Sequence, residues 1–344
     1  MAAAGDEGQT RKRRPSAGKT NLAAVAELAA VSEATVSRVL NRKYGVSAAT
    51  RQAVEEALRK VGYERPLDRE LVLVLTPSLR NPIFAQQAER IENELSPHGL
   101  KTIICPVYPG TPHERDYVEA LIDSGVAAIV FLSSSNTLRN ADHQVIHLIN
   151  NRGIPYVCIN GGFPDTVSPI VSTDDWRAAE IAVEHLHAFG HRRIGLLAGP
   201  VGNIPADRRV EGYVRAMERR GLEDFVVRHH FNFEGGQQAA TTLLGQGVTG
   251  IVASSDEMAL GAFRAVERAG LRVPADVSII GYDDSPLLDY TNPPLTTVRQ
   301  PTERIAENVG RLVTALIGNR PVSTDEILIE PEIHLRGSTA RPPE

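Results

Sequence analysis

From residue 71 onward, short apolar runs alternate with amphipathic stretches that end at glycine. A first series contains LVLVL, TIICPV, VAAIVFL, IPYVCIN and PIVST, and a second contains RRIGLLAG, DFVVRHH, TGIVAS and VSIIGYD. Segments such as FAQQAERIENELSPHG and RRVEGYVRAMERRG, which have helical periodicity, lie between these runs. Strands that alternate with helices predict a parallel sheet covered on both faces. Two such series predict an α/β body of two lobes, each a doubly wound parallel sheet.

The first 66 residues have a different pattern, which predicts three short helices. The first spans about Asn21 to Ala29, the second follows a cap at Ser32 and ends near Asn41, and the third starts after Ser47 and ends at Gly62. On a helical wheel the second helix has one apolar and one small, polar and basic face. The apolar face holds Val36, Val39 and Leu40, and the opposite face holds Ala34, Ser37, Arg38 and Asn41. Three such helices form a minimal helix-turn-helix domain.

Charge is distributed unevenly along the chain. Residues 1–66 contain 12 Lys and Arg against 7 Asp and Glu, although the whole chain has a net charge of −5. A basic head on an acidic body favours a nucleic-acid-binding module joined to a different kind of domain. Residues 1–19 are small, polar and charged, which predicts a disordered basic tail. Its RKRRP run fits either non-specific attraction to phosphate or plain solubilisation.

The stretch NLAAVAELAAVSEATVSRVLNRKYGVSAATRQAVEEALRKVGY closely resembles the headpiece of the lac repressor (LacI/GalR) family of bacterial transcription regulators. The resemblance continues to about residue 338. It implies a DNA-binding domain over 20–66 and a periplasmic-binding-protein-like effector domain over 71–340, in which the chain crosses between lobes three times. The implied crossings lie near Thr173, near Thr297–Pro301 and near Asp325. The N-lobe would then comprise 71–172 and 300–324, and the C-lobe 173–297 and 325–340.

The resemblance makes the second helix the one that reads DNA. Arg38 suits a bidentate contact to guanine, the Ala34 methyl suits a thymine methyl, and Glu33 suits a cytosine amino group. The other expected DNA contacts have side chains suited mainly to phosphate: Ser32, Thr35, Ser37, Asn41, Ser47, Thr50 and Arg51. The alternative interpretation is that Ser32 and Ser47 serve only as helix caps and that Arg38 is a surface charge.

One departure from the family pattern lies in the turn before this helix. The turn reads Ala30–Val31–Ser32, whereas the family usually has glycine first. If that position requires a positive φ, alanine costs on the order of 1 kcal/mol there.

A second departure follows Tyr63, where the family usually has a hinge helix that wedges a leucine into the minor groove. Here GYERP runs directly into DRELVLVL, so the hinge is roughly eight residues shorter than that pattern and is confined to residues 67–70. Leu67 is the only candidate wedge. A shortened hinge predicts less bending of DNA and tighter coupling of head to body.

In the body, the resemblance places a small ligand in the cleft between the lobes. NPIF follows the first strand, at the end where open α/β sheets bind ligands. The resemblance implies the following effector contacts: Asn81, Phe84, Asp175, Trp176, Arg209, Asp256 and Asp283. An arginine with aspartates suits a polyhydroxylated molecule, and a carbohydrate is the family's usual effector. For each charged residue the alternative is an ordinary loop charge or an interlobe salt bridge, and for Trp176 it is packing.

The sequence has only poor signals for membrane insertion, export, disulfide bonds, metal binding and catalysis. No apolar run is long enough to cross a membrane, the N-terminus lacks a secretory h-region, and the two cysteines do not have the spacing of a disulfide or zinc framework. His143 and His147 lack the glutamate of a zincin, and there is no GxSxG, so no cofactor, metal or catalytic centre is expected. The resemblance implies a homodimeric, ligand-responsive repressor, and the lack of membrane and export signals favours the bacterial cytoplasm, with association to the nucleoid. Two competing interpretations are an exported sugar-binding protein and an enzyme with a regulatory head.

Overall fold

A computed structural model describes residues 22–40, 46–61, 70–107, 109, 111–122, 125–141 and 143–344. The chain divides into two compact units, Met1–Asp68 and Arg69–Glu344, which are described separately here. The predicted tail over 1–19, the predicted DNA contact Asn41 and the candidate wedge Leu67 all lie outside the described residues, as does most of the short hinge.

The first unit contains the three predicted helices: α1 (Leu22–Leu28), α2 (Glu33–Leu40) and α3 (Ala48–Lys60). Apolar residues at helical spacing meet in one core, because each helix must bury its apolar stripe against the others. This core contains Val25, Ala26, Val36, Val39, Val54, Ala57 and Leu58. The core explains why α2 leaves only its opposite face to solvent.

The turn between α1 and α2 is a Schellman motif with alanine at the left-handed position. Ala30 has a φ of 52°, its N–H donates to the carbonyl of Glu27 at 3.2 Å, and the N–H of Val31 donates to the carbonyl of Ala26 at 3.0 Å. The departure noted in the sequence therefore falls on a residue with positive φ, where the Cβ of alanine is strained.

In chain order, the second unit continues with twelve strands and eight helices among its described residues. They are β1 (Leu71–Thr76), α4 (Pro82–Leu95), β2 (Lys101–Pro106), α5 (Pro112–Ile122), β3 (Val126–Leu132), α6 (Gln144–Asn151), β4 (Tyr156–Ile159), β5 (Ile170–Thr173), α7 (Asp175–Ala188), β6 (Ile194–Ala198), α8 (Ile204–Glu218), β7 (Phe225–Arg228), α9 (Phe233–Gly245), β8 (Gly250–Ala253), α10 (Asp256–Arg268), β9 (Ser278–Asp283), β10 (Thr296–Arg299), α11 (Thr302–Ile317), β11 (Glu326–Ile329) and β12 (Glu332–His334).

These strands form two six-stranded sheets. The N-lobe sheet has the order β11-β5-β4-β3-β1-β2, and the C-lobe sheet has the order β12-β10-β9-β8-β6-β7. Neighbouring strands are parallel, except that β12 is antiparallel to β10. Apolar side chains on both faces of each sheet pack under helices, as the continuous apolar strand sequences predict. The predicted two-lobed α/β architecture is confirmed.

The chain passes from the N-lobe to the C-lobe after Thr173 and returns between Arg299 and Thr302. The prediction of a third crossing near Asp325 is wrong. β11 pairs in parallel with β5 in the N-lobe, and Ile329 is buried in the N-lobe core, so the last crossing follows Ile329. The second N-lobe segment therefore extends to residue 329. β11 joins this sheet because β5 would otherwise form an unpaired edge there, and the pairing buries Ile329 of β11 in the N-lobe core.

Two simpler expectations concern the cysteines and membrane segments. Cys105 and Cys158 are buried free thiols. Among the described residues, no helix combines the length and the apolar character that crossing a membrane requires.

Candidate functional sites: an exposed helix face and an interlobe pocket

The N-termini of α2 and α3 are capped in the same way. The Ser32 hydroxyl oxygen accepts the N–H of Thr35 at 3.2 Å and lies 2.9 Å from the Thr35 hydroxyl. Ser47 and Thr50 repeat this arrangement at 3.1 Å and 2.8 Å. Both serines therefore fix where their helices begin, which satisfies free backbone N–H groups. Capping is an observed role of these serines. It uses the hydroxyl oxygen as an acceptor, so where the neighbouring threonine is the donor of the hydroxyl pair, the serine hydrogen can still be donated to a phosphate oxygen.

The exposed face of α2 carries a strip of three side chains that differ in chemistry. Glu33, Ala34 and Arg38 are exposed, whereas Val36 and Val39 are buried in the core. Ser37 is partly buried beside them, and on α3 Arg51 is also partly buried. An acceptor, a methyl group and a guanidinium on one accessible face have the functional groups needed to distinguish base edges in a major groove.

In the second unit, a cavity of about 280 Å³ lies between the two lobes. Four of the seven residues expected from the sequence line it, namely Asn81, Phe84, Arg209 and Asp283. Further polar and aromatic residues line the same cavity: Ser78, Ser133, Thr137, Asn160, Asn203, Phe231, Ser254, Ser255, Glu257, Tyr282 and Gln300. Apolar walls with a few convergent polar groups are typical of small-molecule sites.

A hydrogen-bonded network at this cavity joins the lobes. The side-chain amide of Asn81, in the N-lobe, donates to Asp283 Oδ2 at 3.1 Å, and the amide of Gln300, on a crossing segment, donates to Asp283 Oδ1 at 2.7 Å. The Thr173 hydroxyl, at the end of β5, donates to Gln300 Oε1 at 3.2 Å. Asp283 ends β9 of the C-lobe with a φ of 127°. A carboxylate of the C-lobe is therefore bound by a side chain of the N-lobe and by one on a crossing segment.

The environment of Asp283 changes its acidity. Burial raises the pKa of Asp283 to about 6, because removing the charged carboxylate from water outweighs the hydrogen bonds from Asn81 and Gln300 that favour the charged form. Within reach of physiological pH, the same side chain is thus an acceptor when ionised and a donor when protonated.

Arg209 is held at the pocket by a buried carboxylate behind it. Its Nη1 donates to Asp175 Oδ1 at 2.5 Å, and the Tyr282 hydroxyl donates to the same oxygen at 2.8 Å. The guanidinium carbon lies 4.3 Å from the centroid of the Tyr282 ring and 5.8 Å from that of Phe231. Asp175 is fully buried and does not line the cavity. The expected effector contact at Asp175 is therefore corrected to a partner that orients Arg209.

Asp256 and Trp176 are also not brought to the cavity. Asp256 is buried below it, where it accepts the N–H of Ser285 at 2.8 Å and the hydroxyl of Thr297 at 2.7 Å. The Trp176 indole N–H instead donates to Glu211 at 2.7 Å, and the Arg208 guanidinium lies 4.5 Å from its ring centroid. Local partners take up the polar groups of both residues, so the expectation of direct contact is revised for each.

Comparisons with known proteins identify both parts of the chain. Residues 21–65 match the description of bacterial regulatory proteins of the lacI family, and residues 183–339 match a periplasmic binding protein-like domain. The HTH-type transcriptional regulator reg1 of Streptomyces lividans is 43% identical over 337 residues, which cover 94% of this chain and 98% of that relative. The chain belongs to the LacI family.

Other LacI-family proteins are also similar to this chain over most of its length. The HTH-type transcriptional repressor CytR of Escherichia coli is 34% identical over 328 residues, covering 92% of this chain and 95% of CytR. A transcriptional regulator CelR–cellobiose complex has a TM-score of 0.71 and 30% identity, covering 93% of this chain and all of that one. The lac repressor dimer bound to operator and the anti-inducer ONPF has a TM-score of 0.70 and 27% identity, covering 94% and 100%. Membership of this family makes the chain an effector-controlled, DNA-binding transcription regulator and not an enzyme.

Sequence reasoning missed several pocket residues of this LacI-family body. Ser133, Asn160, Ser254 and Gln300 each directly follow a strand, and Phe231 comes three residues after β7. The rule that ligands bind at the carboxyl ends of parallel strands identified Asn81 after β1. The same rule applied to every predicted strand would have found Ser133, Asn160, Ser254 and Phe231 as well. It would not have found Gln300, because β10 is not among the strands that the sequence predicts.

Proposed function

We propose that this chain is a homodimeric repressor whose α2 helices read the two halves of a pseudo-palindromic operator, and whose affinity for that operator is set by a carbohydrate bound between the lobes. The repressor acts on chromosomal DNA in the cytoplasm, associated with the nucleoid. The observation that carries the proposal is the Asn81–Asp283–Gln300 network, which joins a pocket carboxylate of the C-lobe to a side chain of the N-lobe and to one on a crossing segment. A ligand that engages this carboxylate changes the interactions that hold the lobes together.

A carbohydrate suits the chemistry of the pocket. Phe84 and Phe231 offer ring faces to the apolar C–H faces of a sugar, while Arg209 and Asp283 offer donors and acceptors in pairs to its hydroxyls. The volume of about 280 Å³ lies near the lower end of small-molecule sites. The related CelR structure contains cellobiose. These observations support a sugar or a sugar derivative in preference to a flat apolar ligand.

On the DNA side, we infer that Arg38, Ala34 and Glu33 specify bases, because they form the accessible strip of α2. The other proposed DNA contacts fix the register of the head on the phosphate backbone. They are Ser32, Thr35, Ser37, Asn41, Ser47, Thr50 and Arg51. A single small head buries little DNA surface, so a dimer on two half-sites is needed for useful affinity.

The two sites communicate through two states of the body with different operator affinity. Such coupling is typically worth about 1–3 kcal/mol, and it is reciprocal, so operator DNA changes sugar affinity by the same factor. The sugar raises operator affinity if it binds better to the state with high operator affinity, and it lowers operator affinity if it binds better to the other state.

The test measures DNA and sugar binding on the full chain. Fluorescence anisotropy with DNA from the promoter of its own gene is expected to show specific, salt-dependent binding with the stoichiometry of a dimer. Glucose, maltose, cellobiose and ribose are then added separately, and at least one is expected to shift operator affinity about 5- to 150-fold. Sedimentation measures the dimer independently. A monomer without specific DNA binding, or a protein that binds DNA with no response to any sugar, would overturn the corresponding part of the proposal.

A further inference from the structure

Ser254 lines the pocket and has a buried hydroxyl that lacks a hydrogen-bond partner among the described residues. It directly follows β8, its backbone N–H donates to the carbonyl of Leu197 at 2.9 Å, and its residue is only 2% exposed. It lines the interlobe cavity, yet its Oγ has no hydrogen-bond partner within the part of the chain that the structure describes. Buried hydroxyls in native proteins are nearly always hydrogen-bonded, so this one calls for an explanation.

Neighbouring hydroxyls do not share this property. Ser255 Oγ accepts the N–H of Met258 at 3.2 Å and caps α10, and the Thr297 hydroxyl donates to Asp256 at 2.7 Å. At both of these positions the local structure supplies the partner. Ser254 differs from Ser255, which also lines the cavity, because its Oγ has no partner among the described residues, and a bound molecule can supply that partner.

The charges around the cavity restrict what that molecule is. Glu257 and Asp283 line the cavity together with Ser254, and Arg209 is already paired with Asp175. Two carboxyl groups disfavour an anionic ligand group beside them. A serine hydroxyl can both donate and accept, and so can the hydroxyl of a neutral sugar.

We propose that Ser254 is a specificity-determining contact of the pocket, whose hydroxyl exchanges a hydrogen bond with one hydroxyl of the bound sugar. This inference rests on the proposed carbohydrate function. A site with a buried polar group selects strongly for ligands that satisfy it, because an analogue lacking the hydroxyl leaves that group unpaired. Ser254 therefore distinguishes sugars by the presence and orientation of one hydroxyl.

The test compares Ser254→Ala with a matched control. Ser135 is fully buried, its Oγ also lacks a partner among the described residues, and it does not line the pocket. Both Ser254→Ala and Ser135→Ala remove an unsatisfied hydroxyl, so each is expected to raise the melting temperature of the ligand-free protein by about 1–3 °C. Only Ser254→Ala is expected to weaken binding of the sugar that wild type binds best among glucose, maltose, cellobiose and ribose. The expected loss, measured by calorimetry, is about threefold to tenfold.

Deoxy analogues of that sugar identify the hydroxyl. One analogue is expected to bind wild type less tightly but to bind Ser254→Ala as well as the parent sugar does, which is the signature of a coupled pair in a double-mutant cycle. Equal sugar affinity of wild type and Ser254→Ala would overturn the inference, and so would an equal loss in Ser135→Ala. If wild type binds none of the four sugars, the carbohydrate proposal fails and this inference fails with it.

Discussion

Arg208 of α8 and Glu326 of β11 form a bidentate ion pair across the two lobes. Arg208 Nη1 lies 2.6 Å from Glu326 Oε1, and Nη2 lies 2.8 Å from Oε2. Burial alone would raise the pKa of Glu326, but hydrogen bonds from Arg208 and Ser172 outweigh it and hold this pKa below its usual value. The guanidinium also lies over the ring of Trp176, the only tryptophan of the chain. The pair thus stabilises this arrangement of the two lobes. Because Trp176 lies next to the pair, its fluorescence can report whether the pair is formed.

Replacing Arg208 is expected to loosen the lobes. Arg208→Ala removes the interlobe pair and uncovers the Trp176 ring, so the emission of Trp176 shifts to longer wavelength and sugar affinity falls about threefold to tenfold, as for a partly buried charged hydrogen bond. The control is Arg264→Ala, because Arg264 pairs with Glu267 on the exposed face of α10 within the C-lobe. Unchanged emission and unchanged affinity in Arg208→Ala would contradict an interlobe role for the pair.

Arg209→Ala is expected to do more than abolish the response to effector. It leaves the fully buried Asp175 without its charged partner, which costs about 3–5 kcal/mol of stability. Urea unfolding measures this cost, and the double variant Arg209→Gln/Asp175→Asn is expected to recover most of the stability while remaining unresponsive to sugar. If Arg209→Ala unfolds at the same urea concentration as wild type, the pair does not hold this wall of the pocket.

Sugar affinity is expected to depend on pH through Asp283. Its pKa in the fold is about 6, so the ionised carboxylate, which in our proposal accepts hydrogen bonds from sugar hydroxyls, is lost as pH falls below that value. Affinity at pH 5 should be lower than at pH 7.5 by up to about tenfold. Asp283→Asn is expected to bind weakly and without this pH dependence, as calorimetry across the range would show.

The raised pKa of Asp283 makes the free energy of unfolding depend on pH in the opposite direction from sugar affinity. Because Asp283 binds its proton more tightly in the fold than in the unfolded chain, its stabilising contribution is complete below pH 3.8 and is lost as pH rises through about 6. The stability difference between wild type and Asp283→Asn should therefore change between pH 4 and pH 6.5, and a difference that stays constant over this range would refute the assignment.

Arg38 and Arg51 are expected to contribute to DNA binding in different ways. Arg38→Ala removes the proposed base contact, so it should reduce discrimination between operator and unrelated DNA by about 1–3 kcal/mol. Arg51→Ala removes the proposed phosphate contact, so it should weaken binding to both DNAs alike and reduce the slope of log affinity against log salt concentration by about 1. Anisotropy titrations at several salt concentrations separate the two. Retained specificity in Arg38→Ala would show that another residue reads the bases.

Ala30→Gly is expected to stabilise the DNA-binding unit. The φ of 52° strains an alanine but not a glycine, so the free energy of unfolding should rise by about 1 kcal/mol. Ala29→Gly is the matched control, because Ala29 has no positive φ and there glycine only adds flexibility to the unfolded chain. Hydrogen exchange of amides in α1 and α3 measures both changes. Slower exchange in Ala29→Gly than in Ala30→Gly would reverse the expected order.

Much of the fold could be predicted from the sequence, because its signals are local. Apolar runs between amphipathic helices specify two parallel sheets, and the apolar stripes of the three head helices specify their common core. The same local logic placed Asn81 and Phe84 just after β1. The strained turn was recognised from the family pattern, which usually has glycine where this chain has Ala30. Arg209 and Asp283 came from the family resemblance, and both line the pocket.

Only the tertiary structure decided where the other predicted pocket residues point. Asp175 pairs with Arg209 on the next helix of the C-lobe, Asp256 turns towards Thr297, and Trp176 lies beneath Arg208. β11 joins the N-lobe sheet beside β5, more than 150 residues earlier in the sequence. Each outcome depends on a partner distant in sequence, because a buried polar group takes the nearest group that satisfies it and a strand takes the sheet edge that buries it. Sequence therefore determined the fold and part of the pocket, and long-range packing determined which of the predicted residues line it.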